Sequence, residues 1–184
     1  MKKMNRREFL ALTGAAVVAL SLAGCDADDV PPAAPPAPPA PTTSEETKVL
    51  EAIKKYRAAA GVTEQITRDD GLKPAAELVV KIAKGDVKFG DAMGDPKGAL
   101  NEAMKHYNDL SAPIGIAFDP DTGDMTLLCV YSEDVEKMAK ELPLRLAADT
   151  QEDLKSARLI AIQVFESERV KYWVALVAKG KVAP

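Results

Sequence analysis

RLIAIQVFESERVKYWVALVA, residues 158–178, decides the class of fold. RLIAIQVFE (158–166) and VKYWVALVA (170–178) are apolar runs rich in β-branched and aromatic residues, and the polar stretch Ser167–Arg169 divides them. Runs of that length and composition on either side of a short polar break predict a β-hairpin. Neighbouring residues on a strand point to opposite faces, so Tyr172 and Trp173 must look in opposite directions. One of them is expected in the core, and the other can line a groove. Upstream, PIGIAF (113–118) and MTLLCVY (125–131) flank DPDTGD (119–124), which reads as a second hairpin.

Further toward the N-terminus the period changes to that of helices. Thr43 and Glu46 have capping-box spacing, Val49, Ile53, Tyr56 and Ala60 share one face, and Gly61 supplies a stop. A second helix is capped by Asp69 or Asp70 and tolerates Pro74 in its first turn. It carries Leu72, Ala76, Val79, Val80 and Ala83 on one face and ends at Gly85. Gly90, Gly94 and Gly98 punctuate a loop, and Asp95-Pro96 opens a third helix with Leu100, Ala103, Met104 and Tyr107. Ser132 caps a fourth helix with Val135, Met138, Ala139 and Leu142, and a helical turn follows near residues 151–157. Leading helices and closing hairpins make an α+β domain, with helices packed on a mainly antiparallel sheet.

That domain occupies residues 45–184. Before it stands a segment of another kind, DADDVPPAAPPAPPAPTTSEE, whose Pro and Ala cannot bury a core and favour extended polyproline conformation. Residues 25–44 therefore read as a semi-rigid stalk. Residues 1–24 read as a cleaved address: the apolar run 10–23 is short for a bilayer span and follows Arg6, Arg7, Glu8, Phe9 and Leu10. Arg6, Arg7, Phe9 and Leu10 resemble a twin-arginine export signal. Leu22, Ala23, Gly24 and Cys25 resemble a bacterial lipobox, which implies lipidation of Cys25 and a lipid bilayer as the first partner. Two or more acyl chains suffice for stable anchoring, where one binds only marginally. Asp26 resembles the signal that retains lipoproteins on the inner membrane, so the expected location is the cell envelope, at the periplasmic face of that membrane.

The chain of 184 residues has a net charge of −4, and without the address it keeps 20 basic against 27 acidic side chains. With no basic cluster, nucleic acid is not expected as a partner. Beyond Cys25 the single remaining thiol is Cys129, so no intramolecular disulfide staples the domain.

VLEAIKKYRAAAGV followed by ITRDDGLKPAAELVVKIA resembles the opening of the bacterial CAP superfamily, the cysteine-rich secretory, antigen 5 and pathogenesis-related proteins. Arg57, Gly61, Ile66, Asp69, Leu72 and Ala76 carry the resemblance, and the closing hairpin is similar to the terminal strands of the family. The resemblance implies an α-β-α sandwich and, in members that keep it, a cleft of two histidines and two acids that hold a metal. This chain departs from that pattern. Lys54 replaces the Asn of the first element, no histidine falls near residues 89–91, Ala112 and Pro113 stand loosely at a Gly-Glu-Asn element, and 142–145 replace the second histidine element.

The one histidine, His106, ends a helix, where it complements the dipole. No metal and no cofactor are expected. Asp119, Asp121 and Asp124 have the look of a calcium loop, but Val130 stands where a bidentate Glu is required. Cys129 lies inside an apolar strand, and Ser132 and Ser167 lack the setting of a nucleophile. The expectation is a non-catalytic binding module for a lipid, a glycan or an envelope protein. His106, Tyr107, Arg145, Tyr172 and Trp173 are its candidate groove-lining residues. The alternatives are an envelope hydrolase built on acids such as Glu51, Glu77 or Glu102, and a structural spacer.

Overall fold

A strand with apolar side chains on both faces has to be covered on both faces. The computed structural model describes residues 44–119 and 125–183, and the signal, Cys25 and the stalk as far as Thr43 lie outside them. In chain order the elements are α1 (Ser44–Ala59), β1 (Thr67–Arg68), a 3-10 turn (Asp70–Leu72), α2 (Lys73–Ala83), α3 (Phe89–Gly94) and α4 (Ala99–His106). There follow β2 (Tyr107–Asn108), β3 (Ile116–Phe118), β4 (Met125–Leu127), α5 (Val135–Arg145), α6 (Ala148–Ser156), β5 (Leu159–Ser167), β6 (Val170–Ala178) and β7 (Gly180–Lys181).

The expected α+β class holds. β5 and β6 pair antiparallel from Leu159↔Ala178 to Ser167↔Val170, and β1 adds a short parallel strand to the other side of β5. The sheet is thus mixed, though its long pairing is antiparallel. Ile160, Ile162, Trp173, Ala175 and Val177 face one core with Val49, Ala52, Ile53 and Tyr56 of α1, Met138, Ala139 and Leu142 of α5, and Leu154 of α6. Ala161, Phe165, Val174, Leu176 and Ala178 face the other, with Ala75, Ala76, Val79 and Ile82 of α2 and Leu100 and Ala103 of α4. The layers are helix, sheet, helix. Each fully buried large side chain here contributes about 1.5–3 kcal/mol, and Trp173 through Ala178 are all buried. The alanines of α2 carry little bulk, which lets that helix lie close to the sheet.

Several local expectations are corrected. Ala60 lies past the end of α1 and is exposed, and Val80 and Ala83 are half-buried. The third helix starts later than Pro96, because Asp95 accepts from Lys97 N–H (3.0 Å) and Gly98 N–H donates to the Asp95 carbonyl (2.9 Å), closing a turn. Helix α4 opens only after Gly98, a short α3 occupies the expected glycine loop, Met104 is exposed, and Tyr107 begins β2. Asp134, not Ser132, caps α5 by accepting from Lys137 N–H (3.0 Å); Ser132 accepts from Asp134 N–H one step earlier (3.1 Å). Asp69 caps the 3-10 turn that leads into α2.

The first hairpin is also shorter than its apolar pattern. Ile114 and Ala175 exchange backbone bonds (2.8 and 3.0 Å), and Trp173 N–H donates to the Cys129 carbonyl (3.0 Å), so the ends of PIGIAF and MTLLCVY run along β6. Between these contacts the ribbon of β3 and β4 peels away at Gly115. Its φ is +93°, and a Cβ there would come within 2.5 Å of the Trp173 carbonyl oxygen. Gly61, by contrast, has φ +79° with nothing within 4 Å of a Cβ. Gly115→Ala is therefore expected to cost about 2–4 kcal/mol, from strain plus overlap, and Gly61→Ala about 1 kcal/mol from strain alone. Urea midpoints at unchanged slope check the difference, and equal losses would remove the close approach as its cause.

Candidate functional site

The five candidate groove residues do not converge. Trp173 is 2 % exposed and belongs to the core shared with α1, α5 and α6, so it walls no groove. Tyr172 is half-buried on the opposite face, its ring 6.3 Å from that of Phe165. Arg145 is exposed at the end of α5. The His106 side chain, 71 % exposed, sits 3.4 Å from Glu102 one turn back on α4. Tyr107 is buried. The acids considered for hydrolysis are similarly dispersed: Glu51 lies on α1 in one outer layer, while Glu77 on α2 and Glu102 on α4 lie in the other.

Tyr107 instead closes a polar lock. Its hydroxyl donates to Asp69 Oδ1, which also accepts from Gly71 N–H (2.9 Å), and Lys181 Nζ lies 2.8 Å from Asp69 Oδ2. One carboxylate thereby ties the 3-10 turn to β2 and β7. The approach is so close that a Cβ on Gly71 would fall 2.2 Å from the Tyr107 hydroxyl. Burial by itself would raise the Asp69 pKa. The hydrogen bonds from Lys181 and Tyr107, the Lys181 charge and the Gly71 N–H together outweigh it and hold the group below its ordinary 3.8. The same burial, followed by the hydrogen bond to Asp69, pushes the Tyr107 hydroxyl well above its usual range.

Cys129 is buried at the edge of β6, and desolvation pushes its thiol up to about 12, with Arg145 opposing and Glu141 adding to the shift. Such a thiol is not a nucleophile near neutral pH. Among the described residues no group of three or more His, Cys, Asp or Glu side chains is placed to share a metal ion.

One groove lies where the sequence did not place one. A cleft of about 550 Å³ opens between α1, α5 and α6, floored by Tyr56, Ala59, Ala139 and Pro143 and rimmed by Lys55 and Lys140. Tyr56 donates to Gln151 Oε1 (3.3 Å), and Gln151 Nε2 donates to the carbonyls of Pro143 (3.2 Å) and Leu146 (2.9 Å). Gln151 thus fixes one wall by binding both the floor tyrosine and the end of α5. Pro143 has no N–H to give the Ala139 carbonyl, so that one helical bond of α5 is missing beside the cleft. Lys55 is paired with Glu136 across the rim. The sequence signal for this site was Pro143 inside a helical pattern, a conflict that periodicity alone does not interpret. No family model, no curated protein sequence and no solved structure matches the chain.

Two tests follow from the buried groups. The depressed pKa of Asp69 adds stability that is present above about pH 3.8 and is lost as pH falls through the folded value. Asp69→Asn is expected to cost about 1–3 kcal/mol near neutral pH, and its deficit against the parent chain should shrink in acid. A deficit that is constant from neutral pH to the acid limit would show that the carboxylate charge is not what the lock uses. In a chain carrying Cys25→Ser, Cys129 should react with a thiol reagent at least about a hundredfold more slowly in the folded state than in urea.

Proposed function

We propose that the protein is a cell-envelope lipoprotein whose domain is a non-catalytic, CAP-like binding module, held off the membrane by the Pro/Ala-rich stalk. The observation that carries the reading is Cys25, directly after Leu22-Ala23-Gly24 at the end of an apolar run and directly before the stalk. Its acyl chains would anchor the mature chain at the periplasmic face of the inner membrane. Among the described residues no helix is long and apolar enough to cross a membrane.

The CAP-like part of the reading is supported by the places its motif residues take. Arg57 is buried, Asp69 is the centre of the polar lock, Leu72 and Ala76 are core residues, and the closing hairpin is the central sheet. Binding rather than catalysis is supported by what the reactive groups do. Cys129 packs in the core, Ser132 sits at the entry to α5, and His106 pairs with Glu102 on an exposed helix end. The apolar floor of the cleft between α1, α5 and α6 suits an apolar portion of a lipid, a glycan or an envelope protein.

Replacing Cys25 by Ser is expected to move the protein from the membrane fraction to the soluble one, and replacing Arg6 and Arg7 by Lys is expected to block export. Retention of Cys25→Ser on membranes through carbonate washing would overturn the anchor. Normal export of the double-lysine variant would assign the general secretory route instead.

A further inference from the structure

The flank of α1 opposite that cleft carries a buried cation with no ion-pair partner among the described residues. Leu50, Lys54 and Arg57 stand at i, i+4 and i+7 on one stripe of the helix. Arg57 is 2 % exposed, and its guanidinium donates to the carbonyl oxygens of Leu154 and Glu64 (3.0 Å for Glu64). Both acceptors are neutral, and among the described residues no carboxylate forms an ion pair with it. A buried cation served only by carbonyls is costly, because carbonyl dipoles do not cancel its charge. Arg68 adds a second anomaly. Its Nη1 meets Glu46 at 3.0 Å, while its Nη2 is buried with no acceptor.

Both arginines line one cleft of about 560 Å³ between α1 and residues 62–68. Lys54 stands at its mouth with no ion-pair partner among the described residues, and Leu50, Val62 and Ile66 give it an apolar wall. The N–H groups of residues 63–65 take no part in backbone hydrogen bonds. Lys54, Arg57 and Arg68 line this cleft with one acid, Glu64, and Arg68 is also paired with Glu46. Its size is that of a small-molecule site rather than of a single ion.

We propose that this cleft binds a small amphiphilic oxyanion, a carboxylate or a phosphate ester on an apolar body. Its charged end sits among Lys54, Arg57 and Arg68, and its body lies on Leu50, Val62 and Ile66. Guanidinium groups match the planar or trigonal oxygens of such ligands, and the ammonium of Lys54 adds a point charge. The site is separate from the cleft between α1, α5 and α6 and does not depend on the anchor, so its failure and that of the proposed function are told apart.

The test is a calorimetric titration of the full chain with benzoate, phenyl phosphate, inorganic phosphate and benzyl alcohol, followed by amide resonances of residues 63–65. Benzoate or phenyl phosphate is expected to bind with a Kd below about 1 mM, to raise the melting temperature and to shift those resonances. The tighter of the two identifies the oxyanion. Lys54→Gln, an exposed change, is expected to weaken that binding about five- to tenfold while leaving the unliganded melting temperature unchanged. The proposal is overturned if neither anion binds up to about 10 mM, if benzyl alcohol or inorganic phosphate binds as tightly, or if Lys54→Gln binds unchanged.

Discussion

Six consecutive buried residues, Trp173 to Ala178, set the terms for everything else in the domain. A strand presents alternate side chains to opposite faces, so such a run can be kept from water only by a layer on each side. Trp173, Ala175 and Val177 demand the layer of α1, α5 and α6; Val174, Leu176 and Ala178 demand that of α2 and α4. The backbone of the same strand has a second requirement. Its outer edge must be paired, and the chain does this with two short passes, at Ile114 and at Cys129–Tyr131, instead of one long strand. Gly115 is where that solution is tightest, with the chain turning away directly over the Trp173 carbonyl.

Close approach at a glycine recurs at Gly71, where the Tyr107 hydroxyl takes the space a Cβ would fill to reach Asp69. The two sites do different things. Gly115 frees the ribbon of β3 and β4 from the sheet, whereas Gly71 lets a single carboxylate hold three parts of the chain together. Both belong to the frame. The chemistry-bearing side chains that first draw the eye, His106, Cys129 and Ser132, are likewise absorbed into helix ends and core.

Two of the clefts instead share α1. Its buried stripe of Val49, Ala52, Ile53 and Tyr56 fixes it on the sheet, and each flank then borders a cleft. The flank toward α5 and α6 has an apolar floor with a tyrosine held by Gln151. The other carries Lys54 and Arg57 beside Arg68. With two clefts toward its C-terminal end, α1 offers places for a ligand that the proposed binding module would use. That arrangement is the physical content of the binding-module proposal.

The sequence by itself determined the periodic elements. The strands of residues 158–178, the apolar stripes of α1, α2 and α5, the left-handed Gly61, and the opposite facing of Tyr172 and Trp173 all follow from repeats of two or 3.6 along a local stretch. Local chemistry in competition with periodicity was harder to read. The turn at Asp95–Gly98 delays α4, and Glu168 and Arg169 adopt left-handed φ of 50° and 67° in the β5–β6 turn without the Asn or Gly that would announce it. What only the tertiary structure decided was which residues share a space. His106, Tyr107, Arg145, Tyr172 and Trp173 went to separate places, while Tyr56 met Gln151, Asp69 met Tyr107 and Lys181, and Arg57 met Leu154. Periodicity says which face of an element is buried. It carries no information about which distant element covers that face, and clefts exist only where two such faces fail to close.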